Sequence, residues 1–73
     1  MATISVKSEV TGSVWKVEKA VGDQVAKGET IMILESMKME IPVDAPEAGT
    51  LKELKVAPEE PVEEEQELCL IET

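Results

Sequence analysis

The residue types missing from this 73-residue sequence already narrow its function. Histidine is absent, so the side chain most often used for acid–base catalysis near neutral pH is not available. The single cysteine, Cys69, has no partner for an internal disulfide, and there is no Cys/His cluster for a metal. Phenylalanine and tyrosine are absent as well, which leaves Trp15 as the one aromatic residue and gives no stacking platform for bases. These absences argue against an enzyme acting alone, a metal protein and a nucleic-acid-binding protein.

Long hydrophobic segments are also missing. The opening residues contain no apolar core of signal-peptide length, and no run approaches the length of a membrane span. The expected location is therefore the cytoplasm, and an unpaired cysteine agrees with a reducing compartment. No membrane partner is expected.

Positive charge is scarce. Seven basic residues stand against 16 acidic ones, which gives a formal net charge of −9 and net repulsion from nucleic acids and anionic membranes. Much of the negative charge falls in the stretch from Glu59 to Glu67. A run of this kind is ordinarily a solvated loop, and the alternative is a surface that selects basic partner domains.

The sequence contains an internal repeat, since residues 37 positions apart match along most of its length. We interpret the chain as one small domain, residues 1–73, made of two copies of one β unit at 1–36 and 38–73. The matched stretches include Ile4 with Ile41, Gly12 with Gly49, and Ile31–Glu35 with Leu68–Glu72.

Strand signals dominate each copy. Isoleucine and valine are common in apolar runs with a spacing of two, and four prolines in the second half disfavour helices. The sequence therefore predicts an all-β fold. It should be a flattened barrel or sandwich of two antiparallel sheets, each of about four strands, related by an approximate twofold axis.

One strand in each copy departs from even spacing. The apolar pairs Val14/Val17 and Leu51/Leu54 are separated by three positions. A strand with one buried face should keep an even spacing, so a bend or bulge is predicted there, where the strand passes from one sheet to the other.

The turns differ between the copies. Gly22 and Gly28 predict two hairpin turns in the first copy. Glu59 and Glu65 stand at the equivalent positions, so the second copy is expected to use another backbone geometry. Pro61 lacks an N–H and predicts a short or edge strand.

The seam between the copies, Glu35 to Glu40, is predicted to be the tip of a hairpin with Met37 and Lys38 at the centre of the turn. This tip lacks the Gly or Asn that tight hairpins favour, and it sets two glutamates opposite each other, so it is poorly built for stability alone. The predicted cross-strand pairs are Ser36 with Met39, Glu35 with Glu40, Leu34 with Ile41, and Met32 with Val43.

A lone lysine at a turn is ordinarily a solvated surface residue, and methionine is ordinarily core filler. The combination is less ordinary, because Met37 and Met39 flank Lys38 at the apex of a symmetric fold. Exposed apolar side chains at such a point indicate a docking surface for another protein.

The stretch ESMKME, followed by IPV, resembles the attachment site of the biotinyl domain family, the carrier domains of biotin-dependent carboxylases. The resemblance covers essentially the whole chain, and it is close to the short free-standing biotin/lipoyl attachment proteins. It implies the barrel-sandwich hybrid fold of biotinyl and lipoyl domains. The chain departs from the family at the missing second-copy glycines, at Ser36, where alanine is common, and in having no insertion like the thumb of some bacterial carriers.

The resemblance also implies a function, which is that of a non-catalytic biotin carrier. A biotin protein ligase would attach biotin covalently to Lys38. The carrier, a monomer by itself, would then shuttle carboxybiotin between the biotin carboxylase and the carboxyltransferase of a carboxylase. Carried over residue by residue, the positions that the ligase would recognise are Glu35, Ser36, Met37, Met39 and Glu40.

Two alternatives remain open at this point. One is a lipoyl carrier, or a carrier that accepts both groups, although lipoyl domains usually lack the paired methionines. The other is an unmodified structural or interaction module with the same fold, in which Lys38 is an ordinary surface residue.

Overall fold

The computed structural model describes residues 2–73, which form eight β-strands and, within that range, no helix. No helix long and apolar enough to cross a membrane is therefore found among the described residues. The strands are β1 (Thr3–Lys7), β2 (Gly12–Val17), β3 (Gln24–Val25), β4 (Thr30–Ser36), β5 (Met39–Asp44), β6 (Gly49–Leu54), β7 (Pro61–Val62) and β8 (Glu67–Glu72).

The strands build two four-stranded antiparallel sheets, in the orders β1-β8-β6-β3 and β5-β4-β2-β7. The predicted all-β sandwich of two such sheets is confirmed. Strands β1 to β4 correspond one by one to β5 to β8, so each order is converted into the other by exchanging the two halves. Because each sheet takes strands from both halves, neither half can complete a sheet without the other.

The core lies between the sheets and is built from inward-facing aliphatic side chains. The alternation of strand residues sends most of these side chains to this layer. Ile31 with Met32, and Leu68 with Cys69, are buried in succession. Leu51 and Ile71 are neighbours across β6 and β8, as Val14 and Leu34 are across β2 and β4. The buried apolar residues are Val6, Val14, Val25, Ile31, Met32, Leu34, Ala45, Leu51, Val56, Val62, Leu68, Cys69 and Ile71.

A bulge interrupts β2 and β6 at equivalent places, as predicted. The register shifts between Val14 and Lys16, and again between Leu51 and Glu53. The extra residue resets the alternation, so apolar residues three apart can both turn toward the core. The predicted passage from one sheet to the other is wrong, since each of these strands stays in a single sheet.

The turns at Gly22 and Gly28 are tight turns, but the prediction that they close hairpins is wrong. Strand β3, between them, pairs with β6 in the opposite sheet from β2 and β4. Each turn therefore carries the chain across the sandwich. Both glycines have positive φ, 98° and 84°, and each turn is closed by a backbone bond such as Asp23 N–H to the Ala20 carbonyl, 3.0 Å.

The second half repeats these turns without glycine, so the predicted change of geometry is also wrong. Glu59 and Glu65 both adopt φ of 70°, in the left-handed region that their glycine equivalents use. The same closing bonds form, from Glu60 N–H to the Ala57 carbonyl and from Gln66 N–H to the Glu63 carbonyl. The packing of the two sheets requires the same backbone path in both halves, so the two glutamates adopt left-handed φ angles.

Pro61 begins β7, a two-residue strand at the edge of its sheet. This confirms the predicted short edge strand. The Glu-rich stretch is thus two exposed turns around one short strand, whose Val62 is buried in the core.

Candidate functional site

The β4–β5 hairpin has the predicted register at each of the four pairs. Ser36 lies opposite Met39 and Glu35 opposite Glu40, followed by Leu34 with Ile41 and Met32 with Val43. This leaves Met37 and Lys38 as the two residues of the turn. The sequence fixes this register because a shift of one position would turn Leu34 and Met32, both now fully buried, toward solvent.

The turn has an unusual backbone for the residues it contains. Met37 and Lys38 have φ of 53° and 65°, so both are left-handed. Two such residues in succession define the type I′ turn that matches the twist of a hairpin, and Asn-Gly is its favoured sequence. Left-handed backbone costs an ordinary residue about 1–2 kcal/mol. Strain held at an exposed apex is a recognised mark of a functional position.

The apex exposes a cation between two apolar side chains. Met37 is 92% exposed and Met39 62% exposed, whereas Met32 in the same hairpin is fully buried. Lys38 is exposed and has no ion pair or side-chain hydrogen bond within residues 2–73. Its amine is therefore open to a reagent or an enzyme, and the methionines offer that enzyme flexible apolar contacts.

The residues of β4 just below the apex contact the segment that leads into β2. The hydroxyl of Ser36 donates a hydrogen bond to the Thr11 carbonyl, 2.9 Å. Gly12 lies so close to β4 that a Cβ at this position would overlap the backbone carbonyl of Glu35. The absence of a side chain at Gly12 thus lets the two strands approach. The strand below the apex is thus held by these contacts, whereas the side chains of Met37 and Lys38 are exposed to solvent.

Two acidic residues lie next to the apex. Glu35 and Glu40 face each other across the hairpin, one residue pair below Ser36 and Met39, and both are exposed. Like charges in this arrangement weaken a sheet slightly. All five residues of the expected ligase-recognition set lie in this hairpin, on either side of Lys38. Their role in recognition stays a prediction.

Two features of this region were not anticipated from the sequence. One is the support from Thr11 and Gly12, for which the repeat of Gly12 at Gly49 was the available signal. The other is a groove that begins beside the hairpin, between strands β1 and β5. Its walls come from the two halves of the chain, so no local pattern could reveal it.

Cys69 takes no part in this site. Its side chain is fully buried in the core, as its match to Met32 predicted. Burial raises the pKa of its thiol to about 11, with a smaller contribution from the charge of Glu67. A thiol held protonated and out of reach of solvent is a packing group and not a nucleophile.

Comparison with known proteins agrees with this geometry. A family model described as biotin-requiring enzyme matches residues 2–71. The biotin/lipoyl attachment protein of Bacillus subtilis is 48% identical over 52 residues, which are 71% of each chain. The biotinylated protein TB7.3 homolog of Mycobacterium leprae is 46% identical over 52 residues, 71% of this chain and 73% of that one.

Among solved structures, the urea carboxylase of Kluyveromyces lactis contains a segment that superposes with a TM-score of 0.93 at 32% identity. The match covers 99% of the present chain and 6% of the carboxylase. The fold described above thus recurs as a small part of a much longer polypeptide.

Proposed function

Since the chain belongs to the family of biotin-requiring enzymes and has the fold of its attachment domain, we propose that it carries biotin covalently on Lys38. The observation that carries this proposal is the exposed amine of Lys38 at a strained hairpin apex between two exposed methionines. A side chain placed in this way can enter the active site of another enzyme without any movement of the sandwich.

The chemistry expected at Lys38 is acylation. The Nζ attacks the activated carboxyl carbon of biotinyl-adenylate on a biotin protein ligase, an amide bond forms, AMP leaves and Nζ loses a proton. The ligase supplies the catalytic groups, and this chain supplies an oriented nucleophile. Because an amide is neutral, the apex loses its one positive charge on modification.

The fit of the residues to this chemistry is good. An acceptor amine must be reachable, and Lys38 is exposed and forms no ion pair with any residue of the described range 2–73. A ligase must also distinguish this amine from those of the other lysines. Met37 and Met39 flank this amine, and no other lysine in the sequence lies between two methionines.

We propose that the biotinylated chain serves a biotin carboxylase and a carboxyltransferase and catalyses neither step itself. Bound biotin would supply the group that accepts and releases CO2. The sandwich would keep that group at high effective concentration near both enzymes. The similarity to a segment of a carboxylase supports this assignment. We further propose that the chain works as a monomer in the cytoplasm, where a thiol such as Cys69 stays reduced.

Coexpression with a biotin protein ligase tests the proposal. Intact mass and avidin binding should show one biotin per chain, and Lys38→Ala should carry none. Lys27→Ala is the matched control, since Lys27 is also an exposed turn lysine, and it has no ion pair among the residues that the structure describes. Wild-type protein that stays unmodified, or Lys38→Ala protein that still binds avidin, would refute the assignment.

A second candidate is supported by the name of the Bacillus subtilis relative, which includes both biotin and lipoyl attachment. The same amine could be acylated by a lipoate ligase. Intact mass after separate exposure to each ligase distinguishes a biotin carrier from a lipoyl carrier and from one that accepts both. We expect the paired methionines to favour biotin, and Met39→Ala to reduce the rate of biotinylation more than that of lipoylation.

A further inference from the structure

We propose that the groove between β1 and β5 is a docking site for the bicyclic ring of the chain's own biotinyl-lysine, a proposal that rests on the function above. The groove has a volume of about 620 Å³. This size is in the range of small-molecule sites and leaves ample room for two fused five-membered rings. Its lining includes the largely buried apolar side chains of Val6 and Leu34.

An apolar track connects the apex with the groove. Met39, Ile41 and Val43 lie on one face of β5, because alternate residues of a strand point the same way. Met39 is exposed beside Lys38, and the other two are half-buried and line the groove. At a rise of about 3.3 Å per residue, Ile41 lies about 10 Å along the strand from Lys38. The modified side chain has about eleven single bonds between Cα and the ring, which span ~14 Å when extended.

The polar part of the ring also finds suitable partners. A cyclic urea has N–H donors and a carbonyl acceptor, as a peptide group does. Strands β1 and β5 are edge strands, each paired on one side only. Edge strands present backbone N–H and C=O groups without sheet partners, and these groups can bind the urea.

The charged residues at the rim of the groove favour a neutral occupant over an anion. Four carboxylates, those of Glu9, Asp44, Glu64 and Glu65, line the groove with a single lysine, Lys7. Such a rim disfavours anions, whereas the amide-linked ring is neutral. The ring is also tethered, so its effective concentration at the groove is far above that of a free ligand.

A partner's extended segment is the competing occupant. Pro42 lies in the middle of β5 and cannot donate a backbone hydrogen bond. A segment that added itself to this edge would therefore meet an interrupted ladder. The tethered ring, which needs only one or two such bonds, is not affected by this gap.

The test compares methyl NMR spectra of unmodified and biotinylated protein, with modification followed by mass. We expect shifts at Ile41, Val43 and Val6 in addition to the apex. Ile41→Thr keeps a β-branched residue but removes apolar surface, and it should abolish most of the shift at Val43. Ile4→Thr is the matched control, because Ile4 is the half-buried twofold equivalent of Ile41 and lies outside the groove.

The outcomes separate this proposal from the proposed function. If biotin is attached but the shifts stay within Met37–Met39, docking is refuted and the carrier function stands. If the groove methyls do not shift in purified biotinylated protein and shift only when ligase is added back to it, the groove is a protein interface and docking is refuted as well. If no biotin is attached at all, it is the carrier function that fails.

Discussion

Among residues 2–73, four residues other than glycine have left-handed backbone, and they form two pairs with different roles. Met37 and Lys38 make the apex, where the proposed function demands a lysine. Glu59 and Glu65 occupy turns in which the first half has glycine, and the proposed attachment of biotin requires neither of them. Replacing a residue of the second pair by glycine should therefore increase stability.

Glu65→Gly should raise the free energy of unfolding. Relief of left-handed strain gains about 1–2 kcal/mol, and the extra freedom of glycine in the unfolded chain costs about 0.5–1 kcal/mol. The expected net gain of about 0.5–1 kcal/mol can be measured by urea denaturation. Gly28→Ala, the twofold equivalent, should change stability in the opposite direction.

Glu65→Gln is the control for charge in this experiment. It removes the carboxylate from a chain of net charge −9 but keeps the left-handed backbone strained. Equal gains from Gln and Gly at this position would show that charge, and not backbone strain, is the cause.

Gly12→Ala should impair both stability and biotinylation. A Cβ at Gly12 would overlap the Glu35 carbonyl, and one at Gly49 would overlap the equivalent carbonyl of Glu72. Overpacking of this kind costs about 1–3 kcal/mol, and the two variants should be destabilised alike in thermal unfolding. Only Gly12→Ala displaces Glu35, which lies just below the Lys38 turn. Only this variant should therefore be modified more slowly by the ligase at temperatures where both variants are folded. Equal slowing in both would contradict the supporting role given to Gly12.

At the scale of strands, β1, β8 and β6 are tied together by one carboxylate. Glu67 on β8 accepts a hydrogen bond from the Ser5 hydroxyl on β1 and forms an ion pair with Lys55, which follows β6, at 3.2 Å. The hydrogen bond from Ser5 lowers the pKa of Glu67 from its ordinary 4.5, and Lys55 lowers it further. A lowered pKa in the folded state means that this stabilisation is present above pH 4.5 and is lost as the pH falls.

The prediction is that Glu67→Gln reduces the loss of stability on acidification. Thermal midpoints measured between pH 7 and pH 3 should fall less steeply for the variant than for the wild type. Acid also relieves the general repulsion among carboxylates, which raises stability, so the difference between the two proteins is the informative quantity. Parallel curves would show that Glu67 contributes nothing to the pH dependence.

Most of the strand pattern, including the pairing of β4 with β5, could be predicted from the sequence. The hairpin register followed from the alternation of Met32 and Leu34 with polar residues, which is a local signal. The bulges followed from the odd spacing of Val14 and Val17. Lys38 was singled out by its neighbours Met37 and Met39 and by resemblance to a known family, and its modification stays a prediction.

The connections around Gly22 and Gly28 could not be predicted in the same way. A glycine signals a turn, but the sheet that the next strand joins is decided by distant partners, here β6 for β3. The left-handed Glu59 and Glu65 were missed because packing of the whole sandwich overrides the local preference of glutamate. The β1–β5 groove was missed for the same reason, since it exists only when both halves are assembled.

At the scale of the molecule, net charge should govern the response to salt. Sixteen acidic residues in 73 repel one another, and screening extends over about 10 Å at 0.1 M salt. Within the described part of the chain, five ion pairs, all at the surface, oppose this trend, but pairs of this kind contribute only about 0–1 kcal/mol each. We therefore expect the repulsion to dominate.

The midpoint of thermal unfolding should rise when sodium chloride is added to a low-salt buffer. The double variant Glu63→Gln/Glu64→Gln removes two exposed charges from one turn, so it should start from a higher midpoint and respond less to salt. A midpoint that falls with added salt would show that the ion pairs outweigh the repulsion.

The hairpin at Lys38 has a counterpart where the described residues Ala2 and Thr73 meet. Thr73 donates a backbone hydrogen bond to the Ala2 carbonyl, 2.9 Å, in the place that Ser36 and Met39 occupy in the other half. Joining Thr73 to Ala2 through a short linker should therefore give a circular chain with two equivalent hairpin turns. Such a circular chain could be opened at any exposed turn, so that Lys38 would fall near the start, middle or end of the permuted sequence with the same sandwich around it.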